Sequence, residues 1–422
     1  MPIKELYYPI NFREEISKEL GAHIKNRHSV LIVGIRRVGI SNFLRFFLNN
    51  KDVIDTFVEK DKNHLFISVD LNDLVEREIY PFWVLTLKRI VDSIEGLDLD
   101  ESTKNWFQEI FLNSIQPNDL FLVIEGVRKS LVKISKLGFI PTVFLIRFDR
   151  IRDKVTPELF SNIEGIKEAT QHQVSFIFTT YRSFESLAPE FLNKNLIVTN
   201  TMYLPLAKDE DLEIVMDGFI KKYNLHIPEK VRGWLKKLSG GYMQYLQLSL
   251  IILNEQKRDF QNEEELLVFL INNERIKLQS EEILESLTES EQNYLSKIIK
   301  GEETNIKDVE YLEHTGVVKE KEIFSPLFED FLLKKDHQTV GNLELSKKEL
   351  LLFGYLKSNL NEVCERENLI EQVWPEEEEL GVSDWAIDRL VSRLRNKLKM
   401  QKNPYEIVTI KTRGFKLTSQ SD

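Results

Sequence analysis

Two glycines and a serine in residues 34–41, GIRRVGIS, have the spacing of a loop that holds phosphate groups. In the pattern G-x-x-x-x-G-K-[ST], backbone N–H groups cradle the phosphates, the lysine reaches the β- and γ-phosphates, and the hydroxyl binds Mg²⁺. Gly34, Gly39 and Ser41 fit that pattern. Ile40 stands at the lysine position, so the sequence predicts a phosphate-binding backbone without its principal charge.

A strand, a turn and a helix position this loop. Residues 30–33 are all apolar, as a buried parallel strand requires, and the apolar residues after Ser41 have helical spacing. Apolar runs of strand length alternate with helical segments along 1–206, which predicts a parallel α/β sheet with helices on both faces. The other predicted strands lie at 64–71, 142–151, 174–180 and 196–206.

The rest of the chain is predicted to form three further domains. Residues 207–282 have helical periodicity and no strand signals. Residues 283–336 combine short helices with a hairpin after Gly316, the pattern of a small winged helix. A polar joint at 334–342 precedes the last predicted domain, at 343–419.

Composition limits the classes of protein that the chain can belong to. Its 422 residues are 42% hydrophobic and carry a net charge of −11, so a nucleic-acid site must be a local basic patch. A single cysteine, Cys364, excludes an internal disulfide framework and fits a reducing compartment. The sequence has no apolar run of membrane-spanning length and no signal-peptide pattern. We therefore expect a cytoplasmic protein that does not bind membranes.

Residues 10–335 resemble the STAND and AAA-like P-loop ATPases of bacteria and archaea. In that family the loop reads G-x-R-R-x-G-K-[ST], and FIFTTYR at 176–182 is similar to the strand that senses the γ-phosphate. YLPLAKDED at 203–211 and LSGGYMQYL at 238–246 resemble the L-P-L and G-G-x-P elements. Tyr242 replaces the proline. The resemblance implies a prokaryotic protein with a three-layer P-loop core, a helical lid and a small winged helix.

The family's acidic motif, an apolar strand ending in D-E-x-D, is altered here. LIRFDRI at 145–151 places Ile146 and Arg147 at the first two acidic positions, and only Asp149 remains. Ile146 cannot help to hold Mg²⁺, and Arg147 cannot orient the attacking water as a base. Together with Ile40, three changes remove three roles of one reaction. We therefore expect no catalytic residues, no metal site and no ATP hydrolysis.

Nucleotide binding without turnover is a separate possibility. The loop amides can still cradle phosphate, so Gly34, Gly39, Ser41 and Arg147 are the predicted residual site for ATP or ADP. In that reading Arg147 offsets phosphate charge without a metal. The alternative is that Ile40 packs into the core and the pocket binds nothing.

Residues 343–419 resemble the winged-helix effector domain of response regulators of the OmpR class. LELSKKELLL at 343–352, WAIDRLVSRLRNKL at 385–398 and VTIKTRGFKL at 408–417 follow the family's pattern in order. The resemblance implies a helix that enters the major groove of duplex DNA and a hairpin wing that reaches the backbone or the minor groove. Thr412 replaces a wing glycine.

The charge distribution agrees with this interpretation. Residues 385–418 contain nine lysines and arginines and two carboxylates, although EEEE at 376–379 precedes them. A local excess of cations in an acidic chain favours contact with phosphate. The resemblance and the basic block give the predicted DNA-contacting residues as Trp385, Ala386, Arg389, Leu390, Arg393, Arg395, Lys397, Lys411 and Arg413.

Three functions fit the sequence. The basic block favours a DNA-binding regulator whose inactive core is a scaffold that also binds a protein partner. The second is a non-catalytic subunit of a larger defence or mobile-element complex, in which both winged helices bind protein. The third is a nucleotide-gated switch that binds ATP or ADP without efficient hydrolysis. The sequence leaves the oligomeric state open.

Overall fold

The computed structural model divides the chain into two units, residues 1–332 and 333–422. The domain boundaries predicted within the first unit, at 206 and 282, remain predictions. The structure describes residues 8–184, 200–256, 258–302, 309–338, 345, 347–373, 384–400, 404–410 and 413–419.

Five parallel strands form the central sheet of the first unit. In chain order they are β1 (Val30–Val33), β2 (His64–Asp70), β3 (Ile140–Ile146), β4 (Ser175–Thr180) and β5 (Asn200–Tyr203). The strands pair in the order β2-β3-β4-β1-β5, and every pairing is parallel. Every residue of β1, β3 and β4 is buried, as expected for central parallel strands, and these include the polar residues Thr142, Ser175, Thr179 and Thr180. The carboxyl ends of these three strands therefore meet at one edge of the sheet.

Helices cover both faces of this sheet. The helices before β5 are α1 (Glu14–Lys25), α2 (Ile40–Asn49), α3 (Lys51–Ile54), α4 (Ile79–Glu95), α5 (Glu101–Ile115), α6 (Leu120–Lys136) and α7 (Pro157–Ala169). Val30 and Ile32 of β1 lie in one buried hydrophobic cluster, and Leu31 and Val33 lie in another. Because successive strand side chains point to opposite faces, the two clusters are the two sides of the sheet. The predicted three-layer α/β class is confirmed.

After β5 the first unit is mainly helical. The elements are α8 (Asp209–Tyr223), α9 (Glu229–Ser239), α10 (Met243–Gln256), α11 (Glu263–Ile271), α12 (Glu274–Glu285), α13 (Glu289–Lys300), α14 (Glu310–His314), β6 (Val318–Lys319), β7 (Glu322–Ile323) and the start of α15 (Pro326–Gln338), which continues past residue 332 into the second unit. Leu212, Leu246 and Phe328 from this region share a buried cluster with Val30. The helical region and the short hairpin thus pack on one face of the sheet.

The second unit has the helix and hairpin order of a winged helix. Its elements are α16 (Lys347–Ser358), β8 (Cys364–Glu365), α17 (Arg366–Val373), α18 (Asp384–Met400), β9 (Tyr405–Ile410) and β10 (Gly414–Ser419). The strands form an antiparallel sheet in the order β8-β10-β9. A Cβ on Gly414 would lie 2.0 Å from the backbone oxygen of Cys364, so the close approach of β8 and β10 requires glycine. The predicted C-terminal winged helix is confirmed as a fold assignment, whereas the small winged helix predicted at 283–336 remains a prediction.

One predicted strand is shorter than expected. The run 142–151 was expected to be strand throughout, but β3 ends at Ile146, Arg147 is left-handed with φ of 60°, and Phe148–Lys154 forms 3₁₀ turns. Among the described helices, none is long and apolar enough to cross a membrane.

Candidate functional site

The phosphate-type loop joins β1 to α2 at the carboxyl edge of the sheet. Gly39 has φ of 107°, a left-handed conformation that favours glycine. A Cβ on Gly34 would lie 2.8 Å from Cγ1 of Val38 and 3.2 Å from the backbone oxygen of Leu204, so a larger residue would not fit. Ser41 follows as the second residue of α2. The predicted loop residues therefore lie together, and both glycines meet a steric requirement of the turn.

Ile40 lies in the hydrophobic core. Its side chain is 9% exposed and belongs to the cluster that contains Val38. A Cβ added to Gly34 would lie 3.4 Å from Cδ1 of Ile40, so the side chain of Ile40 packs against the loop. At the position of the lysine, the structure therefore has a packed apolar side chain that can supply no charge to a phosphate.

Arg147 is held by three groups at the same edge of the sheet. Its Nη1 donates to both carboxylate oxygens of Asp70, at the end of β2. Its Nη2 donates to Oγ of Ser41 over 2.9 Å, and its backbone N–H donates to Oγ1 of Thr179 over 2.8 Å. The structure thus brings the predicted residues Ser41 and Arg147 together. A neighbouring carboxylate neutralises this guanidinium, which is 25% exposed.

Sequence analysis missed Asp70, although a signal for it was present. Asp70 directly follows the apolar part of a predicted strand, and the carboxyl ends of parallel strands share an edge. Ser41 and Arg147 were predicted from motifs, and the shared edge of the parallel strands would have added Asp70 to them.

Asp149 is the remaining acid of the altered motif. Burial raises the pKa of its carboxyl group, and the backbone N–H of Asp149 and the cations Arg36, Arg150 and Arg147 oppose that shift. Within the described residues its Oδ1 is buried without a hydrogen-bond partner. Ile146, at the position of the metal-binding acid, is 7% exposed and packs in the core. This edge therefore contains one poorly solvated carboxylate among several arginines.

Tyr242 connects the helical region to the phosphate-type loop. Its hydroxyl donates to the backbone oxygen of Arg36 over 2.7 Å and accepts from Nε2 of Gln279 over 2.9 Å. Nε of Arg37 donates to Oε2 of Glu282 over 2.8 Å. Burial raises the pKa of Tyr242 well above its ordinary value, so the hydroxyl stays protonated as a donor. The residue that replaces the family's proline therefore fixes the loop by a direct hydrogen bond.

Arg182 makes a second connection from the sheet edge to the helical region. Its Nη1 and Nη2 each lie 2.7 Å from an oxygen of Glu291, whose side chain is 6% exposed. Arg182 also donates to the backbone oxygen of Ser286, and its guanidinium carbon lies 3.9 Å from the centre of the Tyr311 ring. The arginine of the predicted γ-phosphate-sensing segment is therefore bound by groups of its own chain.

In the second unit, α18 buries the face that the sequence predicts. Ile387, Val391, Leu394 and Leu398 are at most 3% exposed and form one cluster. Leu390 is 1% exposed and lies in the same cluster. The prediction that Leu390 faces DNA is therefore wrong, because its side chain is part of the core of the unit.

Two predicted phosphate contacts also have internal partners. Nε of Arg395 donates to the backbone oxygen of Ile407 over 2.7 Å, and its Nη2 donates to Oγ1 of Thr409 over 2.6 Å. Burial lowers the pKa of Arg395. Nζ of Lys397 lies 2.6 Å from Oε2 of Glu349, whose side chain is 2% exposed. These contacts hold α18 against β9 and α16.

The remaining predicted contacts are placed in part. Arg393 on α18 is half-buried, and Arg413 in the hairpin turn is exposed. Lys399, near the end of α18, is exposed as well. Lys411 lies outside the described residues. Trp385, Ala386 and Arg389 belong to α18, but their side chains lie outside what the structure describes.

One protein family matches part of the chain. Residues 340–417 match the family described as "Transcriptional regulatory protein, C terminal". The match lies within the second unit and confirms the predicted resemblance there. The chain has no match among curated proteins.

Several solved structures are distantly similar. A Walker-type ATPase of Pyrococcus abyssi has 17% identity and a TM-score of 0.48, over 76% of this chain and 95% of that one. The ORC2 protein of Aeropyrum pernix, in ADPNP–ADP complexes, has 12% identity and a TM-score of 0.49, over 93% and 95%. The ORC1 protein of Aeropyrum pernix, in complex with DNA, has 12% identity and a TM-score of 0.42, over 97% and 89%. We base no functional conclusion on likenesses this distant.

Proposed function

We propose that the chain is a DNA-binding regulatory protein and that its C-terminal winged helix contacts duplex DNA. The observation that carries this proposal is the match of residues 340–417 to the C-terminal domain of transcriptional regulatory proteins. The second unit supplies the elements that such contact requires, a long helix (α18) followed by a β-hairpin.

The proposed contacts are cations of α18 and the hairpin turn. Lys399 and Arg413 are exposed, and the half-buried Arg393 lies on α18 beside the exposed residues Ser392 and Asn396. Lysine and arginine neutralise phosphates and supply most of the affinity for DNA of any sequence. Arg395 and Lys397 act instead as positioning residues, because internal partners hold both.

For the first unit we propose the role of an inactive scaffold. Ile40 and Ile146 provide neither the charge nor the metal ligand that phosphoryl transfer needs. The guanidinium of Arg147 engages the hydroxyl of Ser41 and the carboxylate of Asp70. The hydrogen bond from Tyr242 to Arg36 ties the helical region to that loop through protein groups alone. These contacts support a unit that keeps its closed arrangement without nucleotide.

Fluorescence anisotropy with a labelled random-sequence duplex, across a salt series, tests DNA binding. We expect Arg393→Glu/Arg413→Glu to weaken binding about tenfold or more and to reduce the slope of log K against log salt by about two. Lys60→Glu/Lys357→Glu makes the same change in charge at exposed positions outside the proposed contacts, so it is the matched control and should change affinity less than about twofold. Equal affinities for the wild type and the double variant would refute the proposed contacts. No binding at low salt would refute the proposed function.

Isothermal titration with ATP and ADP, with and without Mg²⁺, tests the scaffold role. We expect no binding at nucleotide concentrations up to about 1 mM, because the loop lacks its lysine and Ser41 is already engaged. Binding at micromolar concentration would instead support the nucleotide-gated switch. Release of phosphate from ATP at an ordinary rate would overturn the inactive assignment.

A further inference from the structure

A row of lysines lies along α6 in the first unit, away from the phosphate-type loop. Lys129, Lys133 and Lys136 are spaced at i, i+4 and i+7, so they follow one side of the helix over about 10 Å. Lys129 and Lys136 are exposed, and Lys133 is half-buried. We call these three residues the α6 lysine row.

The α6 lysine row differs from two lysines of α9, which have carboxylate partners. On α9, Nζ of Lys236 lies 2.9 Å from Glu213, and Nζ of Lys237 lies 2.7 Å from Glu263. Within the part of the chain that the structure describes, no carboxylate pairs with any lysine of the α6 row. Three positive charges thus stay uncompensated in a chain whose net charge is −11.

The row borders a groove of about 440 Å³ that also has an apolar lining. Trp106, Val132 and Ala169 contribute the apolar surface. Arg128 and Glu125 also line the groove and form an ion pair with each other, so the lysines set its net charge. A groove of this size accepts one or two large apolar side chains.

The environment of Trp106 favours a peptide over a nucleic acid. Nζ of Lys133 lies 5.8 Å from the centre of the Trp106 ring, on one of its faces. The ring of Phe107 packs edge-on against the same indole, with centroids 5.0 Å apart. Stacking of a base needs an open aromatic face, whereas an apolar side chain needs only a desolvated wall. The chemistry of the groove therefore fits carboxylates beside an apolar anchor.

We propose that this groove binds an acidic segment of a partner protein, with carboxylates on the α6 lysine row and one apolar side chain between Trp106 and Val132. Aromatic residues at the centre and charges at the rim are the usual anatomy of such an interface. The proposal is independent of DNA binding, because its residues lie in the first unit and the proposed DNA contacts lie in the second.

The test uses the full chain and a labelled synthetic peptide of about 15 residues, with six glutamates around a single leucine. We expect saturable binding by anisotropy, which Lys129→Glu/Lys133→Glu weakens about tenfold or more. Lys60→Glu/Lys62→Glu has the same change in charge at exposed positions outside the groove, and it should weaken binding less than about twofold. Replacing the leucine of the peptide by serine should weaken binding about fivefold.

Three results would overturn the proposal. One is an equal loss of peptide binding in the groove variant and the control variant, which indicates general charge attraction. Another is unchanged binding after the leucine is replaced. The third is a labelled oligothymidylate that binds the groove more tightly than the peptide does. If circular dichroism shows that the glutamate variant is unfolded, Lys129→Ala/Lys133→Ala takes its place, with an expected loss of about fourfold.

Discussion

In the first unit, carboxylates of the same chain hold Arg147 and Arg182, whereas Lys399 and Arg413 in the second unit are exposed. The two guanidinium groups of the first unit lie where the sequence suggested contacts with a nucleotide. The comparison teaches that a basic residue in a motif is available to a ligand only if the fold does not supply a closer acceptor. The same distinction separates Lys397 from Lys399 within α18.

The largest expected effect concerns the enclosed ion pair of the first unit. Arg182→Ala should lower the free energy of unfolding by about 3 kcal/mol, because Glu291 would stay buried without its partner. Urea denaturation of the full chain, followed by the fluorescence of the first unit, measures this loss.

An exposed ion pair serves as the control for that variant. Lys154→Ala breaks a contact of 2.8 Å with Glu78 in which both side chains are about half exposed. We expect a loss below about 1 kcal/mol. Similar losses for the two variants would mean that Arg182 is not an enclosed structural charge.

The second prediction separates positioning from DNA contact on α18. Lys397→Met should destabilise the second unit by about 2 kcal/mol, because Glu349 is 2% exposed and would lose its contact with Lys397. The salt dependence of DNA binding should not change, since Lys397 makes no phosphate contact in this account. A slope smaller by about one, with normal stability, would show that Lys397 contacts DNA.

The third prediction uses the pH dependence of stability. Burial raises the pKa of Asp149 in the folded state above its ordinary value of 3.8. The folded state therefore holds the proton more tightly than the unfolded state does. The stability that this proton contributes is present at low pH and is lost as the pH rises from 3.8 through the raised pKa. Asp149→Asn should therefore stabilise the first unit at pH 7, by about 1 kcal/mol, and have little effect near pH 4. Denaturation curves at both pH values measure the difference. If Asp149→Asn stabilised the protein equally at the two pH values, or more at pH 4, ionisation of the buried carboxyl group would not be the cause of the stabilisation.

The smallest expected effect on stability belongs to an exposed cation. Arg413→Gln should change the free energy of unfolding by less than about 0.5 kcal/mol, because its side chain is exposed. Its DNA affinity should nevertheless fall several-fold, and the salt slope should fall by about one. If Arg413→Gln lowered the free energy of unfolding as much as Lys397→Met does, Arg413 would be a buried charge with an internal partner.

The positions of the strands along the chain and the turn of the loop were predictable because they depend on local patterns. The apolar residues 30–33 predicted β1, the apolar residues 176–178 predicted β4, and the spacing of Gly34 and Gly39 predicted the turn. Leu390 was wrongly predicted to contact DNA, because that prediction followed the family resemblance and not the helical periodicity. Leu390 lies three residues after Ile387 and four before Leu394, on the buried face of the helix.

The internal partners of the arginines were not predictable in the same way. Arg182 and Glu291 are 109 residues apart in sequence, and neither position has a local signal for the other. Lys397 and Glu349 are 48 residues apart and meet only because α16 and α18 pack together. Such pairs depend on tertiary packing, which spacing along one element does not encode.

Whether the first unit responds to nucleotide can be measured as the affinity of the full chain for duplex DNA, with and without ATP and Mg²⁺. We predict salt-dependent DNA binding whose affinity changes less than about twofold on addition of nucleotide, since protein groups already hold the loop, Arg147 and Arg182. A shift of about tenfold or more with nucleotide would contradict the account, as would the absence of DNA binding at low salt.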